Sequence, residues 1–151
     1  MERIEDCFAF LLGKAYQHIN QEARQRLAPH GVTPAQYGLL EVLWEHDGQS
    51  GAELSERLQL DSATMTGLLD RLERAELVVR RPDGADRRVN RVALTAQGQA
   101  LRVPLDRTMD EVNAGVVARL GNEKAELLRT ILAELGQVVG PIDTVAKGGG
   151  K

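Results

Sequence analysis

The sequence predicts a mainly α-helical chain carrying one small β-hairpin, and three observations lead there. Hydrophobic residues make up 42% of the 151 positions while aromatic ones make up only 3%, so the core must be aliphatic. Leucine, alanine, glutamate and arginine are abundant, and all four favour helices. Residues 62–95 join a helical pattern directly to two β-prone runs. In the helical part, Met65, Leu68, Leu69 and Leu72 fall at i, i+3, i+4 and i+7 and so share one stripe. Ala63, Thr66, Gly67, Asp70 and Arg74 take the opposite face. Runs 77–81 and 89–94 then read as strands, joined by Pro82-Asp83-Gly84-Ala85-Asp86, whose Pro and Asp-Gly content signals a turn. A helix followed at once by an arginine-studded hairpin is the sequence form of a winged helix-turn-helix.

The other elements follow from periodicity and caps. Ile4, Phe8, Leu11, Leu12, Ala15, Ile19, Ala23 and Leu27 keep a helical period over 4–27, about six turns against the roughly three of an average helix. A small domain has little interior for so long a stripe, so contact with a partner is expected. Pro29, His30 and Gly31 end it, and Thr33-Pro34 reads as an N-cap with proline at the first helical position. The helix over 34–45 buries Tyr37, Leu40, Val42, Leu43 and Trp44, and His46-Asp47-Gly48 closes it. Ser50 and Glu53 have capping-box spacing at the start of a short helix with Leu54 and Leu58 on its buried edge. Leu60-Asp61-Ser62 is the turn, and Asp61 or Ser62 caps the helix that follows. Two short helices this close make a helix-turn-helix.

After the hairpin, Thr95 reads as the N-cap of a long helix with the stripe Leu101, Leu105, Met109, Val112, Val116 and Leu120, in which Pro104 should force a kink or a break. Gly121-Asn122 separates it from a last helix bearing Leu127, Leu128, Ile131, Leu132, Leu135, Val138 and Val139. The expected organisation is an N-terminal dimerisation helix in residues 1–30 and a winged helix-turn-helix DNA-binding region in 31–95. Helices completing the dimer interface follow in 96–140, and 141–151 form a flexible tail.

Charge and residue usage narrow the function. The formal net charge is −3, yet residues 77–95 hold five arginines (Arg80, Arg81, Arg87, Arg88 and Arg91) against Asp83 and Asp86, a local +3. A basic hairpin on an acidic body is an electrostatic footprint confined to one face. The lone Cys7 excludes a disulfide framework and any multi-cysteine metal site. His18, His30 and His46 lie in separate elements, and no zinc-protease, serine-hydrolase, P-loop or dinucleotide motif is present. No catalytic residues, metal or cofactor are expected. With no basic-apolar leader and no apolar run of membrane-spanning length, the expectation is a soluble cytoplasmic protein without membrane contacts.

Asp86-Arg87-Arg88-Val89-Asn90-Arg91-Val92-Ala93-Leu94-Thr95 matches the D-x-R-x5-L-T wing signature of the multiple-antibiotic-resistance regulator (MarR) family. Residues 60–66 and Leu69-Asp70-Arg71-Leu72-Glu73 resemble that family's recognition helix, and the likeness extends in element order over residues 8–135. The resemblance implies a homodimeric winged-helix repressor, less often an activator, released from DNA by a small phenolic ligand or by oxidation. It also assigns Arg88 to the minor groove at the wing tip, with Asp86 holding its guanidinium.

Residue chemistry adds the remaining DNA contacts. Ser62, Ala63, Thr64 and Thr66 suit phosphates, thymine methyls or base edges, while Arg71 and Arg74 are better placed for phosphates. Gly67 costs roughly 0.8–1 kcal/mol relative to Ala in a helix interior, which points to close approach of the duplex. Arg87 completes the set beside Arg88. A two-fold dimer requires a near-palindromic operator of double-stranded DNA.

For the effector, position in the family fold makes Lys14, Tyr16, Tyr37 and Trp44 the lining of an aromatic-ligand site. Cys7 is placed much as the reactive cysteine of the family's peroxide-sensing branch, although that branch presents tyrosines to its thiolate and this chain has Thr33 just before Pro34. The rival readings are therefore a one-cysteine peroxide sensor and a winged-helix protein-interaction module that does not bind DNA.

Overall fold

The structure is a computed structural model that describes residues 3–137. Within them, the chain up to Val112 forms one compact unit and the chain from Asn113 a second. The first begins with a 3-10 turn, Ile4–Asp6, then α1 (Phe8–Leu27), a second 3-10 turn (Ala28–His30) and α2 (Pro34–Glu45). It continues through β1 (Gln49–Ser50), α3 (Gly51–Leu58), α4 (Ser62–Arg74), β2 (Val78–Pro82), β3 (Asn90–Leu94), α5 (Ala96–Ala100) and the greater part of α6 (Arg102–Leu120). The second holds the end of α6 and then α7 (Asn122–Gln137). The architecture is mainly α with a small antiparallel wing, as expected. Among the described residues no helix is long and apolar enough to cross a membrane.

Side-chain caps fix where the helices of the helix-turn-helix start. Thr33 and Gln36 form a reciprocal box: Thr33 Oγ1 accepts from the Gln36 N–H at 3.3 Å, and Gln36 Oε1 accepts from the Thr33 N–H at 2.9 Å. Ser50 and Glu53 repeat the device at α3, with distances of 3.2 and 2.7 Å. Asp61, not Ser62, caps α4. Each such cap contributes about 1 kcal/mol and, more usefully here, sets the angle at which the chain enters its helix.

The core is aliphatic. Leu39, Leu40 and Leu43 of α2, Leu54 of α3, and Met65, Leu68, Leu69 and Leu72 of α4 meet Val78, Val92 and Leu105. The α4 stripe is therefore buried as its spacing requires, which leaves Ser62, Ala63, Thr64 and Thr66 exposed on the other side. The sheet order is β1-β3-β2, so β2 is an edge strand. That placement lets Pro82 sit inside β2, opposite Asn90, because the N–H that proline lacks would face away from the ladder.

Five expectations are corrected. The first helix does not run unbroken from Ile4, because Cys7 is extended at φ −83°, ψ 115° and caps α1 through its carbonyl, which accepts from the Leu11 N–H at 3.0 Å. Ile4 and Phe8 are exposed, so no burial holds that end of the stripe helical. Thr95 caps only the five-residue α5. The chain breaks at Leu101, and α6 starts at Arg102, leaving Pro104 in its first turn, where its missing N–H has no intrahelical acceptor to lose. Both wing strands lie one residue later at their starts than the β-prone runs. The two-residue β1 was not anticipated, being too short to show a period. Tyr37 is half-buried, and Leu39, absent from the expected face, is fully buried.

In the second unit, Gly121 at φ +81° makes the left-handed turn between α6 and α7. Leu127, Ile131, Leu132 and Leu135 of α7 are exposed. Val138, Val139 and the expected flexible tail lie outside the described residues.

Candidate nucleic-acid interface

The N-terminal turn of α4 is built around Asp61. Its Oδ1 accepts from the Thr64 N–H at 2.8 Å and its Oδ2 from the Thr64 hydroxyl at 2.7 Å. Those hydrogen bonds hold the Asp61 carboxyl below the usual carboxylate range. The Thr66 hydroxyl donates to the Ser62 carbonyl at 2.8 Å. Both threonines thus have their donors engaged within the helix and present lone pairs and methyl groups outward. Ser62 is exposed and Ala63 adds a small apolar contact. Among the described residues an added Cβ at Gly67 would meet only Arg71 Nη2, at 3.7 Å, so the guanidinium of Arg71 folds back over the glycine and no described neighbour demands Gly there. Arg74 is exposed at the C-terminal end of α4.

The wing turn is closed by two backbone bonds, from the Asp83 N–H to the Val89 carbonyl at 2.8 Å and from the Val89 N–H to the Asp86 carbonyl at 2.9 Å. Arg88 binds Asp86 as a fork. Asp86 Oδ1 accepts from the Arg88 N–H and Nε, both at 3.0 Å, and Oδ2 accepts from Nη2 at 3.1 Å. These bonds lower the Asp86 carboxyl. The Arg88 side chain is nonetheless 90% exposed, so the guanidinium is oriented without being covered. Arg81 and Arg87 are exposed too, and neither makes an ion pair among the described residues.

Two of the five hairpin arginines do not contribute to an outward charge. Arg80 binds Glu73 and Asp70 of α4, and Arg91 binds Glu53 of α3 at 2.8 Å and Asp83 at 3.4 Å. The outward cationic set is Arg81, Arg87 and Arg88. Sequence reasoning counted the charges correctly but had no signal for which were neutralised. It also left Arg81 out of the site.

Of the residues expected to hold an effector, Tyr37 and Trp44 meet in the packing of α2, while Lys14 and Tyr16 lie exposed on α1. Trp44 is buried, donates its indole N–H to the Gly98 carbonyl at 3.1 Å, and packs edge-on to Tyr37 with ring centroids 6.2 Å apart. Both belong to the packing of α2, with Trp44 in the core as the apolar stripe of that helix predicts. Burial and the neighbouring Glu41 carboxylate push the Tyr37 hydroxyl well above its ordinary pKa. Lys14 is exposed, with Nζ 5.3 Å from the Phe10 ring centroid.

Tyr16 instead lines an open crevice of about 450 Å³ with Asn20 and Arg24 of α1, the first turn of α2 and Arg71. Tyr16, Asn20 and Arg24 recur every four residues, on one face of α1. Arg24 was missed because nothing in the sequence places it beside Arg71. Cys7 is half-buried, at the hinge between the first 3-10 turn and α1. Among the described residues no cluster of His, Cys, Asp and Glu could hold a metal ion.

Four similarities bear on this geometry. The model of the family described as "MarR family" matches residues 32–89, which span α2 through the wing turn. The HTH-type transcriptional repressor NicR of Pseudomonas putida is 37% identical over 108 residues, covering 70% of this chain and 68% of that protein. The HTH-type transcriptional regulator FarR of Neisseria gonorrhoeae is 30% identical over 125 residues, covering 83% of this chain and 86% of that one. Among solved structures, the S. aureus MepR–DNA complex superposes with a TM-score of 0.79 at 27% identity, covering 85% of this chain and 96% of that one.

Proposed function

Since this chain belongs to the MarR family of DNA-binding transcriptional regulators, we propose that it is a homodimeric repressor that grips a near-palindromic duplex and is released by a small effector. The observation that carries the DNA reading is the pairing of an exposed α4 face with a wing-tip arginine that is 90% exposed yet oriented by Asp86. In this reading Ser62, Ala63, Thr64 and Thr66 meet base edges in the major groove, with Gly67 admitting close approach. Arg71, Arg74 and Arg87 meet phosphates, and Arg88, kept at a fixed angle by Asp86, enters the minor groove and reads its width.

A second copy is the proposed cover for the apolar residues that the chain leaves open. In the first unit Phe8, Leu11, Leu12 and Ile19 of α1 are exposed, and in the second Leu127, Ile131, Leu132 and Leu135 of α7 are. Side chains of this size in such numbers favour association over solvent contact. Two copies related by a two-fold axis would present two α4 helices to half-sites about one helical turn apart.

The proposed effector is a small aromatic carboxylate or phenol held in the crevice of Tyr16, Arg24 and Arg71. Support comes from an exposed tyrosine ring beside two guanidinium groups that have no ion-pair partner among the described residues. Because Arg71 is shared with the proposed phosphate contacts, an anion bound there would compete with DNA.

A gel shift against the DNA flanking the gene tests the reading. Binding should weaken by several powers of ten between low and high salt, since each neutralised phosphate releases counterions. Arg88→Ala should reduce affinity at least roughly tenfold. Intact binding by that variant would favour a protein-interaction module instead.

A further inference from the structure

Apolar anchoring of the wing stops at its base. Val78 and Val92 are buried, whereas Arg81, Pro82 and Asn90 farther out are exposed. Beyond the base, two arginines tie the hairpin to the helices. The register sets Arg80 opposite Val92 and Arg81 opposite Arg91, so Arg80 and Arg91 leave opposite faces of the ribbon. Arg91 reaches α3 at Glu53. Arg80 reaches α4: its Nε lies 3.0 Å and its Nη2 2.6 Å from Glu73 Oε2, its Nη2 lies 2.5 Å from Asp70 Oδ1, and its backbone N–H donates to Glu73 Oε1 at 3.2 Å. Both Glu73 oxygens are thereby occupied, and the Arg80 hydrogen bonds lower the Glu73 carboxyl.

A guanidinium presents its donors in one rigid plane. Asp70 and Glu73 are three apart on α4 and so lie on one side of it. A planar group bound to two carboxylates on one helix, and to one of them through its own backbone as well, leaves the hairpin little freedom to swing. The side chains involved are 28% exposed for Arg80, 38% for Glu73 and 41% for Asp70. Ion pairs that open add little to global stability.

Resting on the DNA-binding reading of α4 and the wing, we infer that Arg80 is a positioning residue: it sets the angle between wing and α4, so that Arg88 arrives at the narrow groove while α4 occupies the wide one. Arg80 itself need not touch DNA. Its side chain is committed to α4, and its effect on binding passes through Arg88.

A double-mutant cycle on the full-length protein tests this. Arg80→Gln and Arg88→Ala are made singly and together, and affinity for the operator is measured by gel shift, with thermal melts confirming the fold. Arg80→Gln should cost roughly tenfold in affinity in the Arg88 background and less than about twofold in the Arg88→Ala background. Glu73→Gln, which leaves Arg80 charged, should show the same dependence on Arg88, and Arg80→Lys should restore part of the loss. Equal losses in both backgrounds would make Arg80 an independent contact or a purely structural residue and overturn the inference. Should Arg88→Ala alone change nothing, the wing's role in DNA binding fails first, and the inference goes with it.

Discussion

Trp44 and Gly98 lock α2 to α5: the indole N–H donates to the Gly98 carbonyl at 3.1 Å, in a buried setting. Gly98 is itself held against the backbone of Leu77, just ahead of β2. A Cβ at that position would stand 2.1 Å from the Leu77 carbonyl oxygen and 3.0 Å from its carbon. Both obstacles are backbone, which cannot rotate away. Gly98→Ala should therefore destabilise the protein by roughly 2–3 kcal/mol through forced displacement of α5. Trp44→Phe keeps most of the apolar volume and loses the hydrogen bond, for about 1 kcal/mol. Urea denaturation of the two variants measures the difference, and a Gly98→Ala protein as stable as its parent would mean that α5 does not sit where the structure places it.

Gly98 illustrates what the sequence could and could not convey. Local rules reach a long way: Thr33, Ser50 and Asp61 are caps because their side chains serve amides two or three residues on, and the α4 stripe is buried because its period is that of a helix. Pairings between distant segments obey no local rule. Arg80 and Arg91 read as free cations until the fold brings Glu73 and Glu53 beside them, and no local rule places Leu77 beneath Gly98. The bond between Asp86 and Arg88 is implied by the resemblance of the wing signature, and the structure contains it.

At Gly67 the structure separates stability from binding. Among the described residues, the one atom outside the local helix backbone within 4 Å of an added Cβ is Arg71 Nη2, the far end of a flexible side chain at an ordinary contact distance. Gly67→Ala should then stabilise the free protein by about 0.8 kcal/mol, the difference in helix propensity. If the duplex approaches this face closely, the same change should weaken operator binding several-fold. A variant that melts higher and binds DNA as well as its parent would place the duplex farther from α4 than proposed.

The crevice between α1, α2 and α4 makes a different prediction about Arg24 and Arg71, which both line it. Arg24 lies outside the proposed DNA contacts, so Arg24→Ala should bind operator normally yet need roughly tenfold more hydroxybenzoate for release, the loss of one charge-assisted hydrogen bond. Arg71→Ala should weaken both DNA and ligand. Titrating hydroxybenzoate into preformed protein–DNA complexes gives the comparison; equal release from Arg24→Ala and the parent would remove the crevice as the effector site.

Between α2 and α6, Glu41 and Asp106 bring two carboxyls together, and Glu41 Oε2 and Asp106 Oδ1 are both buried without a hydrogen-bond partner among the described residues. Two ionised carboxylates cannot bond each other, but one shared proton satisfies both. Burial, then the charge of Asp106 and a hydrogen bond to it, raise the Glu41 carboxyl above its ordinary value of 4.5. A carboxyl raised on folding means that the native state holds the proton more tightly than the unfolded one. Its favourable contribution is complete below the unfolded pKa and is lost as pH rises through the folded one. The caps and ion pairs at Asp61, Glu73 and Asp86 have lowered carboxyls and act in the opposite sense, fading as pH falls. Wild-type stability minus that of Glu41→Gln isolates the first effect. Above about pH 4.5 the difference should shift in favour of Glu41→Gln, whose amide carries no charge to bury. By pH 7 the variant should melt higher than the parent. A difference that stays level across this range would show that Glu41 ionises as freely in the folded protein as in the unfolded chain, with no proton shared between α2 and α6.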